Sequence, residues 1–231
     1  MIERRDFNDK AALAEELAAS VGDNLRKRIK STGEAALALS GGSTPKLFFR
    51  TLARRNDIDW SKLTITLVDE RWVDASSGRS NAALVAENLL QGPAAAARFV
   101  PLYSGGEKPD AKRISASNKA LATLSLPFSA VVLGMGGDGH TASFFPGGDA
   151  LDAALSEAGP ALAISAPGAG EPRITLTLPF LLKTDALYLH IEGEEKAKTL
   201  KKALGDGDVS QMPVRAVLRQ TEKPVQIFWC P

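Results

Sequence analysis

Cysteine is nearly missing from this sequence: Cys230 is the only one. A single thiol rules out an intrachain disulfide and a cysteine-rich zinc site, and it suits a reducing compartment. An excess of one charge is also lacking. The 28 Lys and Arg stand against 27 Asp and Glu, a formal net charge of +1, without the strong field of a nucleic-acid binder or a polybasic membrane protein. No uninterrupted apolar run approaches the ~18 residues of a membrane span. The opening residues Glu3, Arg4, Arg5 and Asp6 carry charge and lead into no apolar signal region. With hydrophobic residues at 44% and charged residues at 24%, the composition is that of a globular protein rather than a disordered one. At 231 residues the chain buries a substantial core without needing a disulfide or a metal. These absences predict a soluble, cytoplasmic protein, one domain over residues 1–231, with neither nucleic acid nor membrane as partner.

What is present reads as alternating strands and helices. Leu13, Leu17, Val21, Leu25 and Ile29 recur every four positions, which marks one face of a helix with Asn8 as N-cap and Gly33 as C-cap. A short apolar strand, Ala35 to Leu39, follows. Thr44 then reads as an N-cap and Pro45 as the first residue of a helix reaching about Arg55. Leu63 to Val68 is a strand ending in Asp69-Glu70-Arg71, and Ser80 caps a helix through about Leu90. A short strand around Phe99–Leu102 and a helix over 110–124 lead to a continuous apolar strand, Ser129 to Met135. Further strands are expected at 161–165, 173–178, 185–191 and 225–229, with a helix from Glu194 to about Leu204. Val-, Leu- and Ile-rich strands without clean alternation, separated by helices, indicate a mainly parallel twisted sheet with helices on both faces. Ligands of such sheets sit beyond the carboxyl ends of the strands. The peptides following the strands that end near Leu39, Val68 and Met135 are therefore expected to converge on one cleft.

Those peptides carry the chemistry. Ser40-Gly41-Gly42-Ser43-Thr44-Pro45 combines glycines that permit close backbone approach with a helix start whose N–H groups attract an anion. It suits a phosphate, or it is simply a tight turn before a capped helix; it lacks the Gly-Lys-Ser/Thr ending of a Walker loop. In Asp69-Glu70-Arg71 the arginine can pair with a phosphate or steady an oxyanion, and Asp69 can orient a base or bind a hydroxyl. The plainer alternative is an ion pair at a strand end. The glycine-dense stretch Gly134-Met135-Gly136-Gly137-Asp138-Gly139-His140 bends sharply and places Asp138 beside His140, a group able to exchange protons near neutral pH. Gly134, Gly136 and Gly139 also satisfy a dinucleotide-binding pattern. That reading fails because Phe144-Phe145-Pro146-Gly147 interrupts the long helix it requires, and no acidic strand end follows about twenty residues on. Arg173 and Lys196 are solvated surface charges or members of an anion site. His190 reads as packed in its strand, and Trp60, Trp72 and Trp229 as core or loop cover. There is no Gly-x-Ser-x-Gly elbow and no His-x-His or His-x-x-x-His pair. Chemistry must rest on one histidine, carboxylates, cations and water, which favours proton transfer or hydrolysis.

Taken together, Leu39 to Pro45, Asp69-Glu70-Arg71-Trp72-Val73 with Ser80-Asn81, Gly134 to Pro146, Arg173 to Thr177 and Gly193-Glu194-Glu195-Lys196 resemble the 6-phosphogluconolactonase family. In order and spacing they cover residues from about 37 to 200. The resemblance implies a Rossmann-like α/β fold of the sugar-phosphate isomerase/deaminase type. It implies hydrolysis of 6-phospho-D-glucono-1,5-lactone to 6-phosphogluconate in the oxidative pentose phosphate route, with no metal and no cofactor. His140 falls on the family's catalytic position; on the reading of their own peptides, Asp138 organises the loop or partners the imidazolium and Arg71 steadies an oxyanion. Gly42, Ser43, Thr44, Arg71, Arg173 and Lys196 fall on positions associated with the substrate and its phosphate, and Gly41 and Asp69 join them as binding residues from the reading of their own peptides. The chain departs from the family at Ala82, where an aromatic is more usual, and at Phe144, where leucine is common; both concern local packing. A glucosamine-6-phosphate deaminase/isomerase shares the Gly-x-Asp-Gly-His loop. It continues with an acid that Thr141-Ala142-Ser143-Phe144-Phe145-Pro146 does not supply, and it tends to have tyrosine where this chain has Arg71. A sugar-phosphate-sensing regulator would carry a DNA-binding segment, whereas one helix precedes the first strand. The expected assembly is a monomer or a weak homo-oligomer.

Overall fold

The computed structural model describes residues 1–231. The four-residue apolar repeat folds as helix α1 (Lys10–Thr32), and it buries Leu13, Leu17, Val21 and Leu25. Its N-cap is Asp9 rather than Asn8: the Asp9 carboxylate accepts from the Ala12 N–H at 2.8 Å. Gly33 closes the helix as expected, in the left-handed region at φ 86°, with its N–H donating to Ile29 O. Ahead of α1 runs a strand that the sequence pattern does not announce, β1 (Ile2–Asp6), because all its residues are exposed. What holds it is a parallel ladder to the C-terminal strand β10 (Val225–Cys230).

The strand β2 (Ala35–Leu39) is buried at every position, so apolar layers cover both faces of the sheet. Helix α2 (Lys46–Ala53) follows, then β3 (Leu63–Leu67). The strand read as running on into Asp69-Glu70-Arg71 instead breaks at Val68. Residues Asp69–Arg71 form a separate strand, β4, on a second sheet. Val68 bridges the two sheets, donating to Leu39 O and accepting from Leu176 N. Helix α3 (Asn81–Asn88), capped by Ser80 as expected, leads to β5 (Arg98–Val100), α4 (Ala111–Leu121) and β6 (Ala130–Leu133). After the short helix α5 (Leu151–Ser156) come β7 (Ala161–Ile164) and β8 (Arg173–Leu176). With β4 they make an antiparallel three-stranded sheet ordered β4-β8-β7, so these strands lie outside the main sheet. The chain ends through α6 (Leu178–Leu181), β9 (Leu187–Glu192), α7 (Glu194–Leu204), α8 (Val214–Arg219) and β10. The helices α5, α6 and α8 span 6, 4 and 6 residues, too short for a periodic signal to stand out in the sequence.

The main sheet has seven strands in the order β1-β10-β9-β6-β2-β3-β5, and every pairing in it is parallel. From β2 the chain steps outward to β3 and β5, then returns to β6 on the opposite side of β2. The order therefore reverses between β2 and β6, and the crevice beyond their carboxyl ends is the place where such sheets bind ligands. One hydrophobic cluster of 61 buried residues runs from α1 to β10, which makes this a single α/β domain with helices on both faces of its parallel sheet. Trp60 and Trp72 are buried, with indole N–H groups donating to Arg55 O and Gly106 O. No helix is long and apolar enough to cross a membrane. The buried Arg215 on α8 donates to the carbonyls of Lys202, Ala203, Asp206 and Asp208. This cation at the C-terminal end of α7 satisfies carbonyls that the helix leaves open, and it fixes the helix that carries Lys196.

Candidate active site

The crevice between β2 and β6 opens into a cleft of about 230 Å³. One wall is the loop after β2. Ser40 ties it to the opposite wall: its N–H donates to Val132 O, and its hydroxyl accepts from Gly134 N at 2.9 Å. Gly42 takes φ 93°, a conformation glycine adopts without steric cost. A Cβ on Gly41 would stand 1.9 Å from Asn81 Oδ1, so the loop can pass this side chain only as bare backbone. Thr44 does not cap α2. Pro45 occupies the N-cap position in helical backbone, and its carbonyl accepts from Phe49 N. Ser43 and Thr44 line the cleft wall, just ahead of α2.

The second wall is the small sheet. Its register sets Arg71 of β4 directly opposite Arg173 of β8. Like charges facing across an antiparallel pair repel, and each guanidinium is held by fixed acceptors. Arg71 Nη1 donates to Arg79 O at 2.6 Å and to Asn81 Oδ1 at 2.9 Å. Arg173 Nη2 donates to Ala169 O at 2.6 Å, and its Nη1 lies 3.8 Å from Asp69 Oδ2. Both Nε atoms are buried and make no hydrogen bond within the chain. Burial pushes the Arg173 pKa down, and the Asp69 charge opposes this. Asp69 also accepts from Ser143 Oγ at 2.6 Å. Between the arginine and the helix, Glu70 is buried and accepts from the N–H groups of Arg71, Asn81 and Ala82 and from Ser80 Oγ. Burial raises its pKa against the pull of those donors. Glu70 thereby pins Arg71 to the first turn of α3.

The third wall is the glycine-dense turn after β6. Gly136 N donates to His140 O at 2.8 Å, Thr141 Oγ1 donates to Gly134 O at 2.7 Å, and Gly139 adopts φ 82°. Folding the turn this tightly brings Asp138 Oδ1 to 2.6 Å from His140 Nδ1 and 3.0 Å from the His140 N–H. Because a carboxylate accepts, Nδ1 carries a proton, and in the neutral ring Nε2 keeps its lone pair. Asp138 is correspondingly acidic: the hydrogen bond from His140 is the largest cause, and its pKa falls to about 2. Lys196, in the first turn of α7, completes the lining. Burial lowers its pKa, and the charges of Asp138 and Glu195 oppose that.

A carboxylate with a depressed folded pKa contributes stability above its unfolded value and loses it as pH falls toward the folded one. Between its ordinary 3.8 and about 2, the wild type is expected to lose stability more steeply than Asp138→Asn. The half-exposed position of Asp138 keeps this difference small. Urea midpoints across that window check it, and parallel curves for the two proteins would remove the pair as a source of stability.

The family model for glucosamine-6-phosphate isomerases/6-phosphogluconolactonase matches residues 8–229. The chain belongs to the glucosamine-6-phosphate isomerase/6-phosphogluconolactonase family. Within that family, the 6-phosphogluconolactonase of Rhizobium meliloti (strain 1021) is 52% identical over 227 residues, which are 97% of each chain. The 6-phosphogluconolactonase of Mesorhizobium japonicum (strain LMG 29417) is 49% identical over 97% of this chain and 94% of its own. A crystal structure of a 6-phosphogluconolactonase from Shewanella baltica OS155 superposes with a TM-score of 0.97 at 38% identity, covering 100% of this chain and 98% of that one. These relatives place the chain on the lactonase side of the glucosamine-6-phosphate isomerase/6-phosphogluconolactonase family.

Of the residues singled out in the sequence, Gly41, Gly42, Ser43, Thr44, Asp69, Arg71, His140, Arg173 and Lys196 all line this one cleft, and Asp138 stands behind the imidazole. Among the other lining residues, three stand out. Asn81 bridges Arg71 and the Asp69 carbonyl. Its sequence signals were its position right after an N-cap serine and its place in the Ser80-Asn81 piece of the family motif. Ala142 lines the cleft at φ 47°, which no alanine advertises. His190 is buried in β9, as its strand position predicts, yet it lines the cleft floor with Nε2 3.2 Å from Glu192 Oε1. The donors facing the cleft are cations, hydroxyls and backbone N–H groups. No three His, Cys, Asp or Glu side chains converge as metal ligands would.

Proposed function

We propose that this protein hydrolyses 6-phospho-D-glucono-1,5-lactone to 6-phosphogluconate, the lactone-opening step of the oxidative pentose phosphate route in the cytoplasm. The observation that carries this reading is one cleft holding an Asp138-oriented imidazole on one wall and the opposed Arg71–Arg173 pair on another. A sugar phosphate matches both ends. Its dianion relieves the repulsion between the arginines and draws donors from Ser43, Thr44, Lys196 and the start of α2. Lysine acts there as a point charge and arginine as a fork. Anchoring the phosphate holds C1 at the imidazole and turns remote binding energy into orientation.

The lactone carbonyl is already electrophilic, so the enzyme has to supply a positioned and activated water. Neutral His140 takes a proton from that water through Nε2 as the oxygen bonds to C1. Negative charge collects on the carbonyl oxygen, where the loop N–H groups stabilise it. The imidazolium, steadied by the Asp138 carboxylate, returns its proton to the ring oxygen as the C1–O bond breaks. The open-chain acid then ionises, and the net change is addition of one water.

A deaminase would need a carboxylate offered to the substrate. Asp69, the one acidic residue lining the cleft, is engaged by Ser143 and lies beside Arg173. The deciding experiment is turnover at controlled pH with the phospholactone and, separately, with glucosamine 6-phosphate, subtracting spontaneous lactone hydrolysis. Turnover of the lactone above background is expected. Ammonia release from glucosamine 6-phosphate, without lactone hydrolysis, would overturn the reading.

A further inference from the structure

Phe145 has no part in the scheme above, yet it packs against two side chains the scheme relies on, His140 and Arg173. Its ring centroid lies 4.2 Å from that of His140, with the planes inclined by 31°. The guanidinium carbon of Arg173 lies 5.3 Å from the centroid of the same ring. Phe145 is 4% exposed, but unlike its neighbour Phe144 it is not part of the main hydrophobic cluster. A buried phenyl ring that lies against both an imidazole and a guanidinium bears directly on the site.

The local backbone delivers it there. Thr141 and Phe144 bridge across a tight turn, and Ala142 within that turn takes φ 47°, a left-handed conformation that costs a residue with a Cβ. The turn is pinned by Ser143, whose hydroxyl donates to Asp69. It folds the chain back so that Phe144 enters the core and Phe145 returns over His140. Close by, the imidazole is crowded against bare backbone: a Cβ on Gly136 would fall 2.1 Å from His140 Nδ1.

We propose that Phe145 is a positioning residue that fixes the plane of the His140 ring and ties it to the anion-binding Arg173. The hydrogen bond to Asp138 holds Nδ1 but leaves the ring free to rock about that contact. A tilted aromatic ring packed 4.2 Å away, centroid to centroid, restricts that freedom and aims Nε2 at the water. Cation–π contact on the same ring holds the guanidinium, so base and anion site are indexed to one rigid side chain. The catalytic consequence rests on the lactonase reading; the geometric one does not.

The test uses proton resonances of the imidazoles, which are easily resolved because the chain has only 2 His. In the folded wild type, the His140 ring protons are expected upfield of their position in the urea-unfolded chain, because they lie in the shielding region of the Phe145 ring. The assignment comes from His140→Ala. Phe145→Leu and Phe145→Met should abolish this displacement and Phe145→Tyr should keep it. In turnover, Phe145→Leu should lower kcat roughly tenfold, the scale of a modest misalignment, while Phe145→Tyr stays within about twofold. In the His140→Ala background Phe145→Leu should cause no further loss of kcat. A wild-type spectrum without the upfield displacement overturns the proposal by itself, whether or not any variant folds. So does a loss of kcat that is equally large with and without His140. If the resonances behave as expected and the wild type does not hydrolyse the lactone, the clamp stands and the lactonase reading falls.

Discussion

His140→Ala is expected to lower kcat roughly 10²–10⁴-fold, the usual contribution of a positioned general base, while leaving affinity for 6-phosphogluconate largely intact. The separation follows from the layout of the cleft. The imidazole belongs to the turn after β6, whereas the arginines belong to the small sheet and the hydroxyls to the loop after β2. Removing the base therefore leaves the anion contacts in place, and the lost interaction is one made in the transition state. The ring is partly exposed and outside the main hydrophobic cluster, so the variant should fold; a circular dichroism spectrum and product binding establish that before kinetics. A folded His140→Ala protein that opens the lactone at the wild-type kcat would remove His140 from the chemistry, whatever its relatives do.

The parts of this site that could be read in the sequence share one property: they are local. Ser40 to Pro45, Asp69 to Arg71 and Gly134 to His140 each contain their own glycine or charge pattern, and each follows a buried strand, so chain order alone points them at one end of a parallel sheet. The Asp138–His140 contact is also local, since only Gly139 separates the two. What could not be read depends on register and on distant pairings. Asp69–Arg71 look like the end of a parallel strand, because nothing in three residues reveals that they pair antiparallel with β8. The opposition of Arg71 and Arg173 exists only through that pairing. Asn81 and His190 become lining residues through tertiary placement, Asn81 because Gly41 has no side chain to exclude it. The strand β1 carries a polar, exposed pattern and is specified by its partner β10. At α1 the cap falls to Asp9, an equally able acceptor one residue beyond Asn8, whereas α2 has no side-chain cap at all and begins at Pro45 in helical backbone.

Arg173→Ala is expected to weaken 6-phosphogluconate binding by roughly 30-fold to 10³-fold, the range for truncating one side of a buried charge contact, with the loss appearing mainly in KM. Arg173 combines burial, a charge that Asp69 only partly balances at 3.8 Å, and an Nε with no acceptor in the chain. A phosphate arriving between Arg173 and Arg71 finds donors already fixed by Ala169, Arg79 and Asn81, so little ordering is required on binding. Lys196→Ala should have the same sign and a smaller size, because a half-buried ammonium acts through charge alone. Arg173→Lys should fall between wild type and Arg173→Ala, keeping the charge and losing the fork. Removing Arg173 also leaves Asp69 buried beside Ser143 without its cation, so Arg173→Ala is expected to melt earlier than the wild type, and Lys196→Ala provides the control that is free of this defect. The measurement is product titration by calorimetry, together with the rise in Tm that saturating 6-phosphogluconate produces, since a ligand stabilises only what it binds. If Arg173→Ala and Lys196→Ala both hold the product as tightly as the wild type, and both gain the same Tm from it, the phosphate does not sit against the small sheet.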